Sequence, residues 1–366
     1  MVVAETASFQ AAPARDVPSD FHRFAFMGSG KEYFGIWIVN VLLTIVTLGI
    51  YSAWAKVRRN RYFYGNTVLL GRAFEYHANG KQILIGRLIV LGGLVVLNVI
   101  ATLVPILALL PTLAVIIALP WLVVRGLRFN ARVTSYRNVR FDFVGGVGGA
   151  FKAFILGGLL TIISLGLLAP LASRWTGRYV GSNLRFGGKA FHTDPPLAPL
   201  YRGLLIGALF GIVVGIVAAA IIMGTFRATA PAENGLDDTV QVSLVWLLAG
   251  SSYVVLLLVY GTAMLFYRAA VRNAVWSATR FDEKHRFLSG LSRGRYTWIA
   301  ISNLLVTIVT LGLMRPWAAV RMARYTWEHT SVLVAGSVGT LVSEIEQQGS
   351  AVGAEFIEFE GFDFGF

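Results

Sequence analysis

The sequence predicts an all-α polytopic membrane protein with three internal repeats and a small cytoplasmic β-rich layer. Its expected frame is four spanning helices plus three re-entrant or half-inserted helical hairpins, with seven full spans as the alternative. Three observations lead there. Hydrophobic residues make up 56% of the 366-residue chain and charged ones only 14%, against about 25% in a soluble domain. Thr44-Ile45-Val46-Thr47-Leu48-Gly49 recurs letter for letter from Thr307 to Gly312, with a diverged copy from Thr161 to Gly166. Each copy opens into an Arg- and aromatic-rich stretch.

Residues 1–20 are rich in Ala, Pro and Ser and lack a basic start before an apolar core, so they read as a disordered tail rather than a signal peptide. Residues 21–343 read as a single membrane domain. Its first repeat, about 22–76, begins with the alternating aromatics Phe24 and Phe26, a strand signal. An apolar helix from Tyr33 to Leu48 follows and ends at Gly49, which tolerates the left-handed C-cap conformation. A short helix from Trp54 to Tyr64 and an extended stretch from Thr67 to Tyr76 complete the unit. The order returns at a shift of 117 residues (Phe24 to Phe141, Phe74 to Phe191) and at a shift of 263 (Phe24 to Phe287). These place repeat 2 at about 139–193 and repeat 3 at about 285–340. Pro170 and Pro316 stand at the expected first turn of the second helix. Between the repeats lie helical hairpins at 81–125, turning near Pro105, and 203–267, turning at an acidic loop with Glu233, Asp237 and Asp238. Residues 344–366 form an acidic, Phe-rich tail, expected to be solvated or to dock on the basic face by charge complementarity.

Charge placement selects between the topologies. Seven full spans would put the basic cluster Arg174, Arg178, Arg185 and Lys189 on the opposite side from Lys56–Arg61 and Arg125–Arg140, against the positive-inside rule. Repeat helices that enter and return to one face remove the conflict and put both termini in the cytoplasm. They have about 16 to 18 residues before their glycine, short of the roughly 20 needed for a full span.

The net charge of +13 fits cytoplasmic loops and anionic lipid headgroups better than nucleic acid. The expected partners are therefore membrane lipids, anionic ones above all, and no nucleic acid. There is no cysteine, so thiol chemistry is absent. The five histidines (His22, His77, His192, His285, His329) lack metal-ligand spacing, and Gly28-Ser29-Gly30-Lys31 has the wrong spacing for a phosphate loop. No cofactor, metal site or catalytic motif is expected, and the chain does not read as an enzyme.

Two constellations remain. Asn40, Thr44 and Thr47 share a helix face, echoed by Asn303, Thr307 and Thr310 and partly by Thr161 and Ser164. This polar stripe either lines a pathway or packs helices. Trp54, Arg58, Arg61 and Tyr62, with Arg174, Arg178 and Tyr179, and with Trp317, Arg321, Arg324 and Tyr325, form basic aromatic faces suited to headgroup phosphates. The leading expectation is transport or conduction of a small solute or lipid-like molecule through a repeat-built core, since transporters commonly arise from repeats. The alternative is a scaffold or anionic-lipid-binding protein with a basic cytoplasmic face.

Phe24-x-Phe-x-Gly28, Thr47-Leu-Gly-Ile-Tyr51 with Trp54-Ala55, Val57-Arg58, Arg61-Tyr62 and Arg137-Asn-Val-Arg-Phe141 together resemble the YjgN-like family of bacterial inner-membrane proteins, a domain of unknown function. The resemblance runs from about Phe21 to the acidic tail and implies a multi-pass protein of the bacterial cytoplasmic membrane. It supplies no substrate and no catalytic residue.

Overall fold

A computed structural model describes residues 21–229, 238–336, 339 and 342–347. The N-terminal tail, the loop bearing Glu233 and Asp237, and most of the acidic tail lie outside these residues. Where the sequence suggests a small β-rich layer on an all-α protein, the eleven strands of the described residues form one nearly closed antiparallel barrel, which corrects that expectation.

The barrel is assembled from five strand–helical hairpin–strand units. The first runs from β1 (Phe21–Arg23) and β2 (Ala25–Phe26) through α1 (Gly30–Val46) and α2 (Ser52–Gly65) to β3 (Thr67–Leu69). The second is β4 (Arg72–Tyr76), α3 (Gly80–Leu103), α4 (Leu110–Arg132) and β5 (Thr134–Tyr136). The third starts at β6 (Val139–Phe143) and has a first helix in three parts: α5 (Val147–Ala150), a π-helical segment (Phe151–Leu156) and α6 (Gly157–Ile163). It ends with α7 (Ala169–Ser182) and β7 (Leu184–Phe186). The fourth is β8 (Lys189–Thr193), α8 (Leu197–Thr229), α9 (Asp238–Ser277) and β9 (Thr279–Phe281), and the fifth β10 (His285–Ser289), α10 (Arg293–Val309), α11 (Arg315–Glu328) and β11 (Thr330–Leu333).

From β2 to β11 each strand pairs with its neighbours in the chain, so helical hairpins emerge at one end of the barrel and tight turns at the other. Three of those turns have two residues with positive φ: Leu70-Gly71, Arg137-Asn138 and Gly187-Gly188. This is the twist that two-residue hairpins require. The fourth turn begins with Asp282 and Glu283, also at positive φ. Closure comes from the N-terminal strand. Its first half pairs with β11 and its second half with β3, while the Phe24 N–H between them donates to Thr330 O at 3.0 Å.

Alternation turns one aromatic residue per unit into the barrel. Phe24, Phe74, Phe141, Phe191 and Phe287 sit at matching positions of five strands, with Leu69, Tyr136, Phe186, Phe281 and Val332 beside them. Their rings meet in sequence: Phe74–Tyr136 at 4.7 Å, Phe141–Phe186 at 4.6 Å, Phe191–Phe281 at 4.8 Å and Phe191–Phe287 at 5.9 Å between centroids. The barrel is thus a packed aromatic core. Thr67, Thr134, Thr279 and Thr330 tie it to the helices. Each hydroxyl donates at 2.8 Å to the carbonyl four residues back, at the end of α2, α4, α9 or α11.

Among the described residues, four helices are long and apolar enough to cross a membrane: Gly80–Leu103, Pro105–Arg132, Leu197–Thr225 and Ala249–Ser277. The first pair turns in a 3-10 segment at Pro105–Leu107, at the expected place. In the second pair Gly207 and Gly211 bring α8 against α9, where an added Cβ would meet Ala263 O at 3.0 Å and Val259 O at 2.5 Å. Small residues permit such close crossing in a membrane.

The shared aromatic core makes barrel stability sensitive to one ring. Phe191→Ala is expected to cost about 3–5 kcal/mol, the usual range for a buried Phe. An exposed α3 residue, Ile89, replaced by Ala should cost far less. Thermal midpoints in detergent check this, and equal shifts for the two variants would refute a filled barrel.

Candidate functional site

The three short hairpins are built alike. In each, the second helix donates a tyrosine hydroxyl back to the entrance of the first: Tyr62 to Ser29 O at 2.7 Å, Tyr179 to Gly146 O at 2.9 Å and Tyr325 to Ser292 O at 3.1 Å. Each hairpin breaks at a Leu-Gly pair with positive φ: Leu48 (49°) and Gly49 (92°), Leu165 (51°) and Gly166 (93°), Leu311 (48°) and Gly312 (91°). Left-handed backbone costs a non-glycine residue roughly 1–2 kcal/mol. The chain keeps leucine there three times, at 94%, 83% and 94% exposure. Ile45, Val46, Ile162, Ile163, Ile308 and Val309 extend these tips as exposed apolar surface.

The polar stripe serves this break. Thr47, Ser164 and Thr310 each donate to the carbonyl four residues back, at 2.6, 2.6 and 2.7 Å. Each also accepts the N–H four residues on, from Tyr51, Leu168 and Met314, at 2.9, 2.9 and 3.1 Å. The hydroxyl therefore bridges the gap in the backbone ladder where the helix stops. Thr44, Thr161 and Thr307 donate to Asn40 O, Gly157 O and Asn303 O at 2.6, 2.8 and 2.6 Å. Asn40 is buried. Asn303 donates to Ala318 O at 3.0 Å and accepts from Arg321 at 3.2 Å, which joins α10 to α11. The helices that carry the stripes pack both within and between hairpins: α1 on α2 and on α11 of the fifth unit, α6 on α7, and α10 on α11 and on α9 of the fourth unit.

The basic aromatic residues divide into two groups. One fastens neighbouring units. Arg61 donates to Tyr76 O at 3.3 Å and Ala78 O at 3.2 Å, and Arg324 to Gly28 O at 2.9 Å. Trp54 covers Gly80 and Trp317 covers Gly30, where no Cβ fits. Arg174 forms a two-pronged pair with Asp194, both contacts at 3.1 Å. The other group faces outward: Arg58 lies over the Tyr51 ring at 5.7 Å, Arg321 reaches Ser302 at 2.9 Å, and Arg178 is exposed.

A second site stands at the turn end of the barrel; the sequence suggests an acidic tail docking on a basic face but not which basic residues receive it. The helical turn 342–347 lies across this mouth. Ile345, 7% exposed, packs into the aromatic core, Glu344 pairs with Lys189 at 2.9 Å and Glu346 with Arg137 at 3.0 Å. Lys189 also pairs with Asp282 at 2.8 Å, and the two carboxylates hold its ammonium above the ordinary lysine value. Glu344 is correspondingly lowered by Lys189. Nearby, buried His285 accepts the Ala335 N–H on Nδ1 at 3.2 Å. The docking expected of the acidic tail is thus present for Glu344 and Glu346; Glu355, Glu358, Glu360 and Asp363 lie outside the described residues. In the sequence Lys189 and Arg137 read as topology-setting basic residues and His285 as a structural histidine, and no local pattern brings them together. The available signal was that Lys189 and His285, like His22, stand two residues before a core phenylalanine.

Residues 21–359 match the profile of DUF898, described as a bacterial protein of unknown function. The chain belongs to this family. Inner membrane protein YjgN of Salmonella typhimurium is 25% identical over 349 residues, covering 85% of this chain and 88% of that protein. The YjgN proteins of Escherichia coli O157:H7 and K12 are each 31% identical over 160 residues, covering 43% of this chain and 40% of theirs. No solved structure matches. With its four apolar helices, this DUF898 chain is a protein of the bacterial inner membrane.

Burial lowers the His285 pKa below its ordinary 6.5; Asp282 and Glu344 oppose this, and Lys189 and Lys284 reinforce it. Neutral histidine is therefore favoured in the docked state. Its contribution is complete above about pH 6.5 and is lost as pH falls below that, because the unfolded state binds the proton first. Protonation also removes the acceptor for Ala335. Amides of 334–336 and 342–347 should exchange faster at pH 5 than at pH 7.5, after correction for intrinsic rates. His285→Gln should flatten that difference. Equal protection at both pH values would contradict a role for neutral His285 in holding this segment.

Proposed function

We propose that this protein is a membrane scaffold that grips anionic lipid at the cytoplasmic leaflet. Four helices anchor it. Three half-inserted hairpins seat the barrel against the bilayer. The observation that carries this reading is the exposed left-handed leucine at all three hairpin tips. A strained apolar residue at the most exposed point of a turn is unfavourable in water and favourable in acyl chains, where burying a leucine is worth about 1.5–3 kcal/mol.

Beneath those tips, Arg58, Arg178 and Arg321 are exposed on the second helices, beside Tyr51, Trp54 and Trp317. This is the arrangement that places guanidinium groups at headgroup phosphate with aromatic rings at the interface. A cytoplasmic barrel satisfies the positive-inside rule, since Arg23, Arg140, Arg185, Arg280 and Arg286 are exposed on it. A transport pathway through the repeats has less support. The stripe hydroxyls are engaged with their own helices, and aromatic rings fill the barrel.

Native mass spectrometry in mixed neutral and anionic lipid tests the reading. The wild-type protein should retain anionic lipid preferentially. Arg58→Glu, Arg178→Glu and Arg321→Gln combined should cut that retention several-fold, with Gln keeping a donor toward Ser302 and Asn303. Unchanged retention in the triple variant would refute it.

A further inference from the structure

The two sides of the contact at the barrel mouth are built differently. Arg137 and Lys189 belong to the barrel, with side chains only 12% and 26% exposed. Arg137 is fixed independently of the acidic segment: it donates to Leu70 O at 2.8 Å and lies over the Tyr136 ring at 5.7 Å. Lys189 is fixed by Asp282. Both cations thus have holds of their own besides the acidic segment. Their acidic partners are less enclosed: Glu344 and Glu346 are 56% and 57% exposed. Between them a single side chain, Ile345, enters the core, next to Val334 and the ring layer of Tyr136, Phe186 and Phe281.

A preformed basic rim around an apolar socket, filled by a short segment attached through two exposed carboxylates and one aliphatic anchor, has the form of a receptor with its ligand. The two ion pairs join half-exposed carboxylates to cations only 12% and 26% exposed, so they add to the hold and are weakened by salt. The segment is therefore held by the anchor, by these two pairs and by its tether to β11. Tethering raises the effective concentration of a weak ligand to about the millimolar range without any added contact. A free segment of the same chemistry would compete with it once the tethered copy is weakened.

We propose that the turn-end mouth of the barrel is a docking site for a carboxylate–aliphatic–carboxylate peptide of a partner protein. In this chain Glu344-Ile345-Glu346 occupies it in cis and controls access. The partner's segment enters where Ile345 now sits, places its two acids against Lys189 and Arg137, and displaces the tethered copy. The site is on the opposite end of the barrel from the membrane helices and is independent of lipid binding.

The probe is a fluorescent peptide with the sequence of residues 339–350, added to the full-length protein in lipid nanodiscs. Wild type should bind it weakly, because the mouth is occupied. Full-length Ile345→Asp should vacate the socket and bind it at least tenfold more tightly. Glu344→Lys with Glu346→Lys, at exposed positions that spare the fold, should do the same if the first variant fails to fold. Adding Lys189→Glu to either variant should abolish the gain, and raised salt should weaken it. Peptide binding that is equal in wild type and both vacated variants, or absent from all three, overturns the proposal. So does a gain that survives Lys189→Glu.

Discussion

Everything in this fold depends on one strand serving two neighbours. Residues 21–26 pair with β11 through their first half and with β3 through their second. This joins the last unit of the chain to the first. An open sheet of this length would leave two edges with unpaired backbone groups, and closure alone removes both. Closure also converts five separate aromatic side chains into a ring, because Phe24 from the closing strand contacts Phe74 at 6.2 Å and Trp327 at 5.2 Å. The helical hairpins then radiate from a single rigid collar. Short and long hairpins alike start and stop at its strands.

This arrangement explains why units of unequal length can coexist. A barrel strand needs only a few residues and a turn, and the connection at the other end is free to vary. Two connections are long enough to cross the bilayer. Three are cut short by a Leu-Gly break whose exposed leucine suits a shallow apolar insertion. Thr47, Ser164 and Thr310 make that break inexpensive by returning a hydrogen-bond partner to the interrupted ladder. Thr47, Ser164 and Thr310 of the polar stripe thus bond at the joints of the hairpins.

Much of this was legible in the sequence, and the remainder has a physical reason for being hidden. The apolar runs, the turn near Pro105, the glycine breaks and the matched Phe24, Phe141 and Phe287 follow from local pattern. The barrel does not. Its strands are two to five residues long, too short for alternation to stand out, and each is stabilised by neighbours far away in the chain. The shift of 117 residues matches Phe74 to Phe191, yet their equivalence to Phe24 is obscured because the two long hairpins lack the Leu-Gly break and the short basic helix of the other three. The contacts of the basic residues between units are hidden for a related reason. Arg61 and Arg324 carry the charge of an interfacial anchor but spend it on backbone carbonyls of the next unit.

The closing strand offers the most direct test of the account. Hydrogen exchange of full-length protein in nanodiscs reports on residues 21–26 beside the barrel strands β5 and β6. A closed barrel gives the Phe24 amide and its neighbours protection comparable to β5 and β6, lost together with them on heating. Rapid exchange at 21–26 while β5 and β6 remain protected would show an open sheet and contradict the account.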